Sequence, residues 1–305
     1  MKKIKMLIVL MLLGSLIWYV FLKPYDYIVR FNVKTSPGNL FTELQEWNVL
    51  NQKRDSFLYK INRKTPYVLI NETLQFDEMF LEMDWNFKSI NDSTTQVLVG
   101  VTENERSVYN RLTAPFSNTL FKKIAITTVR NFKDVIDYKL ETKYKVKYIG
   151  IDTIPEINYA YITSKNINLR DKAHEMIKNN AFLLSFINKH ELKDGEHPFL
   201  VIDKWDLNES KIDFRFCFPI KQNDSMPIHE FIKFDVLKPR KALKAIYNGN
   251  YITSDRGWFT LLEYAKRHNI SIENKPLEIF YNNPHDGGNE LEWKAEIFVP
   301  IKIKK

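Results

Sequence analysis

The chain has 305 residues, 44% of them hydrophobic and 27% charged, with a formal net charge of +8 and only 9 Gly. That is enough apolar material for one large core or two ordinary ones, and it excludes a low-complexity or disordered chain. The basic residues are dispersed among 37 acids with no long run, which argues against nucleic acid as a partner and suits a soluble surface or a nearby anionic membrane.

Met6 to Leu22 is an apolar stretch without charge, preceded by Lys2, Lys3 and Lys5. It is near the lower length limit for crossing hydrocarbon. Trp18, Tyr19, Tyr25 and Tyr27 cluster at its far end, as an interfacial aromatic belt does. A cleaved signal peptide shares the basic start and apolar centre, but no small-x-small site follows. The residues after Leu16 are bulky or aromatic up to Lys23-Pro24. The expectation is an uncleaved single-pass anchor over residues 1–24. Its basic start places the N-terminus in the cytoplasm and, in the inner membrane of a bacterium, the soluble part in the periplasm.

A first domain is expected over 25–145. Tyr27 to Val33 alternates as a strand, and Asn39 to Leu50 has helical spacing after Ser36-Pro37. Tyr67 to Phe76, Met79 to Lys88 and Thr94 to Glu103 read as strands, the last two joined by the turn Asn91-Asp92-Ser93. Asn118 to Lys143 reads as one long amphipathic helix. The opening Val33 to Phe41, followed by Trp47 and closed by that helix, resembles the START-like SRPBCC helix-grip fold. The resemblance covers about 120 residues and rests on order and pattern. It implies a curved sheet around the long helix and an apolar cavity lined by residues such as Phe80, Trp85, Phe87 and Phe132. The alternative is that these residues simply fill the core.

A second domain is expected over 146–305, and it repeats itself. The first half runs as a strand around Tyr144 to Thr163, a helix from Arg170 to His190, then strands at His197 to Ile202 and Ile212 to Ile220. The second runs as a strand from Phe231 to Ile246 broken at Pro239, a helix from Gly257 to His268, then strands at Lys275 to Tyr281 and Glu292 to Ile301. Each half is β-α-β-β with a period near 80 residues, which suits a duplicated domain.

Ala245-Ile246-Tyr247-Asn248-Gly249-Asn250-Tyr251, Trp258 to Tyr264, Pro276 to Asn282 and Ala295 to Ile301 closely resemble the GyrI-like, AraC-type effector-binding domain, in order and spacing. The resemblance implies a cleft between the helices, aromatic side chains stacking on a ligand, and a glutamate on the last strand facing that cleft. The glutamate position matches Glu296; Tyr247, Tyr281, Trp258 and Tyr251 fall among the expected ligand-binding residues. The duplicated position in the first half is Arg215. The best-known members are cytoplasmic and fused to a DNA-binding helix-turn-helix; no such module fits residues 25–145. Without the family, Glu296 is a carboxylate on an apolar strand, either exposed or buried with a partner. Burial among aromatics raises such a pKa.

Cys217 is the only cysteine, so no intramolecular disulfide or Cys-based zinc site forms. Its alternating apolar surroundings, Phe214 to Phe218, read as core rather than as a nucleophile's site. No GxSxG, P-loop, dinucleotide fingerprint or HExxH motif occurs, and the histidines are isolated. No cofactor and no metal are expected. The overall reading is α+β: an N-terminal transmembrane helix, a helix-grip domain and a duplicated β-α-β-β domain. The function expected is a membrane-anchored protein binding a hydrophobic or cationic amphipathic small molecule. One alternative is a hydrolase of electrophilic small molecules with Glu296 as general base; the other is a non-catalytic interaction protein.

Overall fold

The computed structural model describes residues 2–51, 57–195, 197–221 and 226–302. The protein is α+β, with two antiparallel sheets and one apolar N-terminal helix. It divides into two compact units, Met1–Asp137 and Tyr138–Lys305.

In the first unit, α1 (Lys2–Ile17) continues into a π-helical turn, Trp18–Leu22. Together they give an apolar helix over Lys3–Leu22, 20 residues and long enough to cross a membrane, with most side chains outward. Then come β1 (Tyr27–Val33), α2 (Pro37–Asn51), β2 (Phe57–Thr65), β3 (Leu69–Phe76), β4 (Met79–Asn91), β5 (Thr94–Thr102), a short α3 (Ser107–Thr113) and α4 (Leu120–Thr142). Proline at the first position of α2 suits a helix start, because its missing N–H has no partner there anyway. The strand order is β1-β5-β4-β3-β2.

Alternation sets one face of this sheet. Leu81, Met83, Trp85 and Phe87 of β4 are buried, beside Ile70 and Leu74 of β3 and Val97, Val99 and Val101 of β5. The face is closed by α4, whose Phe132 meets Trp85 edge-on at 5.1 Å and Trp47 of α2 at 5.7 Å. Trp85, Phe87 and Phe132 therefore fill the core. Phe80 does not line a cavity: it sits on the other strand parity and is half exposed. Tyr25, just beyond the apolar helix, packs against this sheet. Its hydroxyl donates to Asp84 at 3.0 Å, and its ring lies where a Cβ on Gly100 would fall.

The second unit holds β6 (Tyr144–Ile154), β7 (Ile157–Asn168), α5 (Lys172–Lys189), β8 (Phe199–Asp206), β9 (Lys211–Pro219), β10 (Lys233–Leu237), β11 (Arg240–Gly249), α6 (Arg256–Arg267), β12 (Leu277–Phe280) and β13 (Lys294–Pro300). The strands form one sheet, β10-β7-β9-β8-β12-β13-β11-β6. The stretch read as one strand from Tyr144 to Thr163 is two strands, separated at Pro155-Glu156 and placed six steps apart in the sheet. β10 and β11, joined through Lys238-Pro239, are also six steps apart. Six steps in a flat sheet span about 29 Å, whereas three residues reach only about 11 Å. Both links are satisfied only if the sheet curls strongly, bringing its two edges together at the end where these links lie.

Register decides which residues fall inside the curl. Ser164 of β7 accepts a hydrogen bond from Asn179 of α5 at 3.0 Å, and a Cβ on Gly257 of α6 would fall 2.8 Å from Ile297 of β13. Both helices thus pack on the face that carries Phe214, Phe216, Leu200, Glu278 and Ile297. The opposite parity forms the inner face. Its closed end is a cluster of Ile154, Tyr159, Phe199, Val201, Cys217, Ala242, Leu277, Ile279 and Phe298. Among the described residues no helix packs there; the curl itself buries these side chains.

Candidate functional site

Toward the open end of the inner face the burial relaxes and polar groups enter. Along β13, Phe298 is buried while Glu296 and Lys294 on the same parity are half-buried. Along β7, Tyr159 is buried and Tyr161 half-buried. Val201 and Ile279 lie between them, near the middle of the sheet. Two polar groups flank this apolar base on the same face, in pairing rows two residues apart: Arg215 pairs with Val201, and Glu296 pairs with Ile279.

Glu296 is held by two lysines. Lys294 donates at 2.8 Å and Lys244 lies at 3.0 Å, the latter also bridging Asp152 at 2.9 Å. Lys294 sits 4.1 Å over the Tyr281 ring and Lys244 5.0 Å over Phe298. Burial pushes the Glu296 carboxyl up, but hydrogen bonds from Lys294 and Lys244 and their charges outweigh it, leaving the carboxyl below its ordinary value. This corrects the expectation of a raised pKa, because the desolvated carboxylate has cationic partners. The carboxylate in turn, after burial, helps hold the Tyr281 phenol above its ordinary value. Tyr281 also packs against His197 at 4.4 Å.

Arg215 makes the opposite arrangement. It donates through Nη2 to Asp203 at 2.9 Å and through Nη1 to Asp235 at 3.1 Å and to the Tyr159 hydroxyl. Its guanidinium lies 5.2 Å from the Tyr161 ring centre and 5.6 Å from that of Tyr159. Burial pushes the Tyr159 phenol well above its ordinary range. Cys217, below Arg215, is fully buried and its thiol is likewise pushed up by burial, so it is no nucleophile.

Of the residues singled out in the sequence, Glu296 and Tyr281 come together here. Tyr247, Trp258 and Tyr251 lie elsewhere. Tyr247 pairs with Ala295 and so points to the helix face, where it is fully buried, stacks on Tyr144 and donates to the Asn250 carbonyl at 2.8 Å. Trp258 is fully buried against Trp205. Tyr251 is buried, donating to the Lys294 carbonyl at 2.8 Å and accepting from the Asn282 amide. The helix face also holds an ion pair with no access to solvent. Lys172, the first residue of α5, donates to Glu278 at 2.9 Å and to Ser254 at 2.6 Å, all three fully buried. Burial pushes the Glu278 carboxyl up against the pull of Lys172 and Ser254. Glu296 is therefore on the face away from the helices, not between them. Lys244, Lys294, Tyr161 and Val201 escaped sequence reasoning. For Lys294 a signal existed, since a residue two positions before Glu296 shares its face.

The first unit has its own pocket, about 310 Å³, bounded by Trp47, Tyr59, Phe76, Ile124, Thr128 and Asn131 among others. Near it lies Glu72, fully buried on the apolar face of β3. Its carboxylate accepts from Trp85 Nε1 at 2.8 Å and from Asn48. Burial outweighs both bonds and raises its pKa to about 7. Among the described residues, Asn48 Oδ1 and Asn51 Nδ2 are buried with no hydrogen-bond partner, and no cluster of three metal-ligating side chains occurs.

No family model and no curated protein matches this chain. Among solved structures, the chain is similar to the transcription complex of EcmrR with DNA (16% identity, covering 65% of this chain and 76% of that one, TM-score 0.44). It is similar also to the isolated EcmrR C-terminal domain (17% identity, 53% and 99% covered, TM-score 0.39). Over a longer stretch it is similar to the di-domain ARO/CYC BexL from the BE-7585A biosynthetic pathway (7% identity, 90% and 85% covered, TM-score 0.28). At these scores the likenesses assign neither family nor activity.

Proposed function

We propose that this protein is a membrane-anchored binder of small amphipathic molecules, with the inner face of the curled sheet as its site. The observation that carries the reading is the pairing of an apolar base, Val201 and Ile279, with two half-buried aromatic rings and two opposite charges, Arg215 and Glu296, on one face. Apolar walls with a few placed polar groups are what small-molecule sites need. A ligand with an apolar body would lie on Val201, Ile279, Tyr161 and Tyr281. Its polar groups would exchange with the Lys244, Lys294, Asp203 and Asp235 partners that now neutralise Glu296 and Arg215. Because Glu296 is held in its ionised form by two lysines, it is a weak base at neutral pH, which speaks against the hydrolytic alternative. The finer assignments, a duplicated GyrI-like domain behind a helix-grip domain, belong to this same reading. So does the anchor: α1 would cross the inner membrane of a bacterium and leave both units outside the cytoplasm.

The test is native mass spectrometry of the full chain released from detergent micelles, titrated with tetraphenylphosphonium and with naphthalene sulfonate. At least one probe should form a one-to-one adduct that Val201→Trp, which fills the base, removes. A second variant, Tyr281→Ala, keeps the test open if Val201→Trp fails to fold. Adducts unaffected in both would refute the site.

A further inference from the structure

We infer that α3 and the turn after it lie in the headgroup layer of the bilayer, as a second membrane contact beside the anchor. The inference rests on the reading that α1 crosses the membrane.

α3 is built inside out for a helix in water. Its buried residues are polar, Asn110 at 1% and Arg111 at 7% exposure. Its outward residues are apolar: Val108 at 43%, Tyr109 at 58% and Leu112 at 47%, followed by Phe116 at 90% and Leu120 at 57%. A surface helix in water places these the other way round. Scattered exposed apolar residues mean little, but here five fall within thirteen positions of the chain, one of them a nearly bare phenylalanine.

The occupant follows from what α3 is fastened to. Arg111 donates through Nη1 to the carbonyl of Val20 at 2.9 Å, and the Tyr19 hydroxyl donates to the carbonyl of Arg111 at 3.1 Å. Both partners lie in the π-helical turn that ends the apolar helix. Arg111 is locked in turn by Asp26, whose carboxylate takes Arg111 Nε at 2.8 Å, Ser107 Oγ at 2.5 Å and the Glu103 amide at 3.0 Å. The anchor's end is thus clamped to α3 through a buried ion pair rather than joined by a loose tether. A patch fixed at the exit point of a transmembrane helix lies at the depth of the lipid headgroups. Arg106 and Lys123 are exposed beside it, and Lys23 and Lys122 are half-buried there, the charge that anionic headgroups attract. The exposed Phe116 and Tyr109 are the residue types that an interface accepts.

The experiment is spin labelling of the full chain in nanodiscs of phosphatidylcholine and phosphatidylglycerol. Single cysteines replace Phe116, Leu13 in α1, or the exposed Glu209 in the second unit. The buried Cys217 is checked by labelling the unaltered chain in parallel. Collision with oxygen reports lipid, and collision with a nickel chelate reports water. The Phe116→Cys label should shift toward oxygen, alongside Leu13→Cys, with Glu209→Cys remaining in water. If Phe116→Cys matches Glu209→Cys while Leu13→Cys is in lipid, the second contact is refuted and the anchor stands. If Leu13→Cys is itself in water, the anchor reading fails and the inference with it.

Discussion

Arg215 and Glu296 stand on one face of the curled sheet, in pairing rows two residues apart, each held by residues of opposite charge. Arg215 answers to Asp203 and Asp235, and Glu296 to Lys244 and Lys294. Removing one member leaves its partners' charge behind. Glu296→Gln should therefore strengthen binding of naphthalene sulfonate and weaken that of tetraphenylphosphonium, while Arg215→Gln does the reverse. The expected change is about fivefold each way, roughly 1 kcal/mol. Probe titrations of the two variants check it, and changes of the same sign in both would contradict it.

The Lys172–Glu278 pair is a matter of stability rather than ligand binding. Both side chains are fully buried, so truncating one leaves an uncompensated charge in the core. Lys172→Met or Glu278→Leu alone should cost about 3–5 kcal/mol, and the double variant should recover most of that loss. Chemical denaturation of the three variants gives the comparison.

Glu72 sets a pH dependence. Its carboxyl is raised from 4.5 to about 7 in the folded chain, which therefore holds an extra proton between those limits. Its contribution is most favourable below about pH 4.5, falls as pH rises through that window, and levels off above about 7. At about 1.4 kcal/mol per pH unit, the loss is on the order of 3 kcal/mol. Glu72→Gln, which keeps one acceptor, should be more stable than the parent at pH 8 and lose that advantage at pH 5. Melting curves at the two pH values provide the check.

Gly257 is a place where a helix former should harm. Alanine normally stabilises a helix interior by up to about 1 kcal/mol over glycine. Here its Cβ would sit 2.8 Å from Ile297 Cγ1 in a packed core. Gly257→Ala should destabilise the second unit by about 1–3 kcal/mol, and pairing it with Ile297→Val should return part of the loss in melting temperature.

Much of this fold was legible from periodicity. The strand ending at Phe76, the long helix from Leu120, and the helices and closing strand pairs of the second unit follow alternation and helical spacing, whereas the strand that opens each half is in fact two. β2 was missed because Lys60, Asn62, Arg63 and Lys64 give an edge strand too little apolar alternation. α3 was missed because its polar residues are the buried ones. The break at Pro155-Glu156 separates strands that end up at distant places in the sheet, and a single sequence carries no record of that partnership. The same holds for the site. Glu296 was legible as a carboxylate on an apolar strand and Tyr281 through the resemblance to the effector-binding domain, but pairing parity put Tyr247 on the other face. Of the lysines that hold Glu296, Lys294 shares its strand and face, whereas Lys244 comes from β11 and is joined to it only by the register.

The inner face around Val201, Arg215, Tyr281 and Glu296 is proposed to hold a small molecule. Native mass spectrometry of the full chain, purified from the expressing cells without added probe, tests it most directly. The expected result is a retained small mass, lost on denaturation and absent from a folded Val201→Trp variant. The same retained mass in a folded Val201→Trp would place the ligand elsewhere and rule out the inner face as its site.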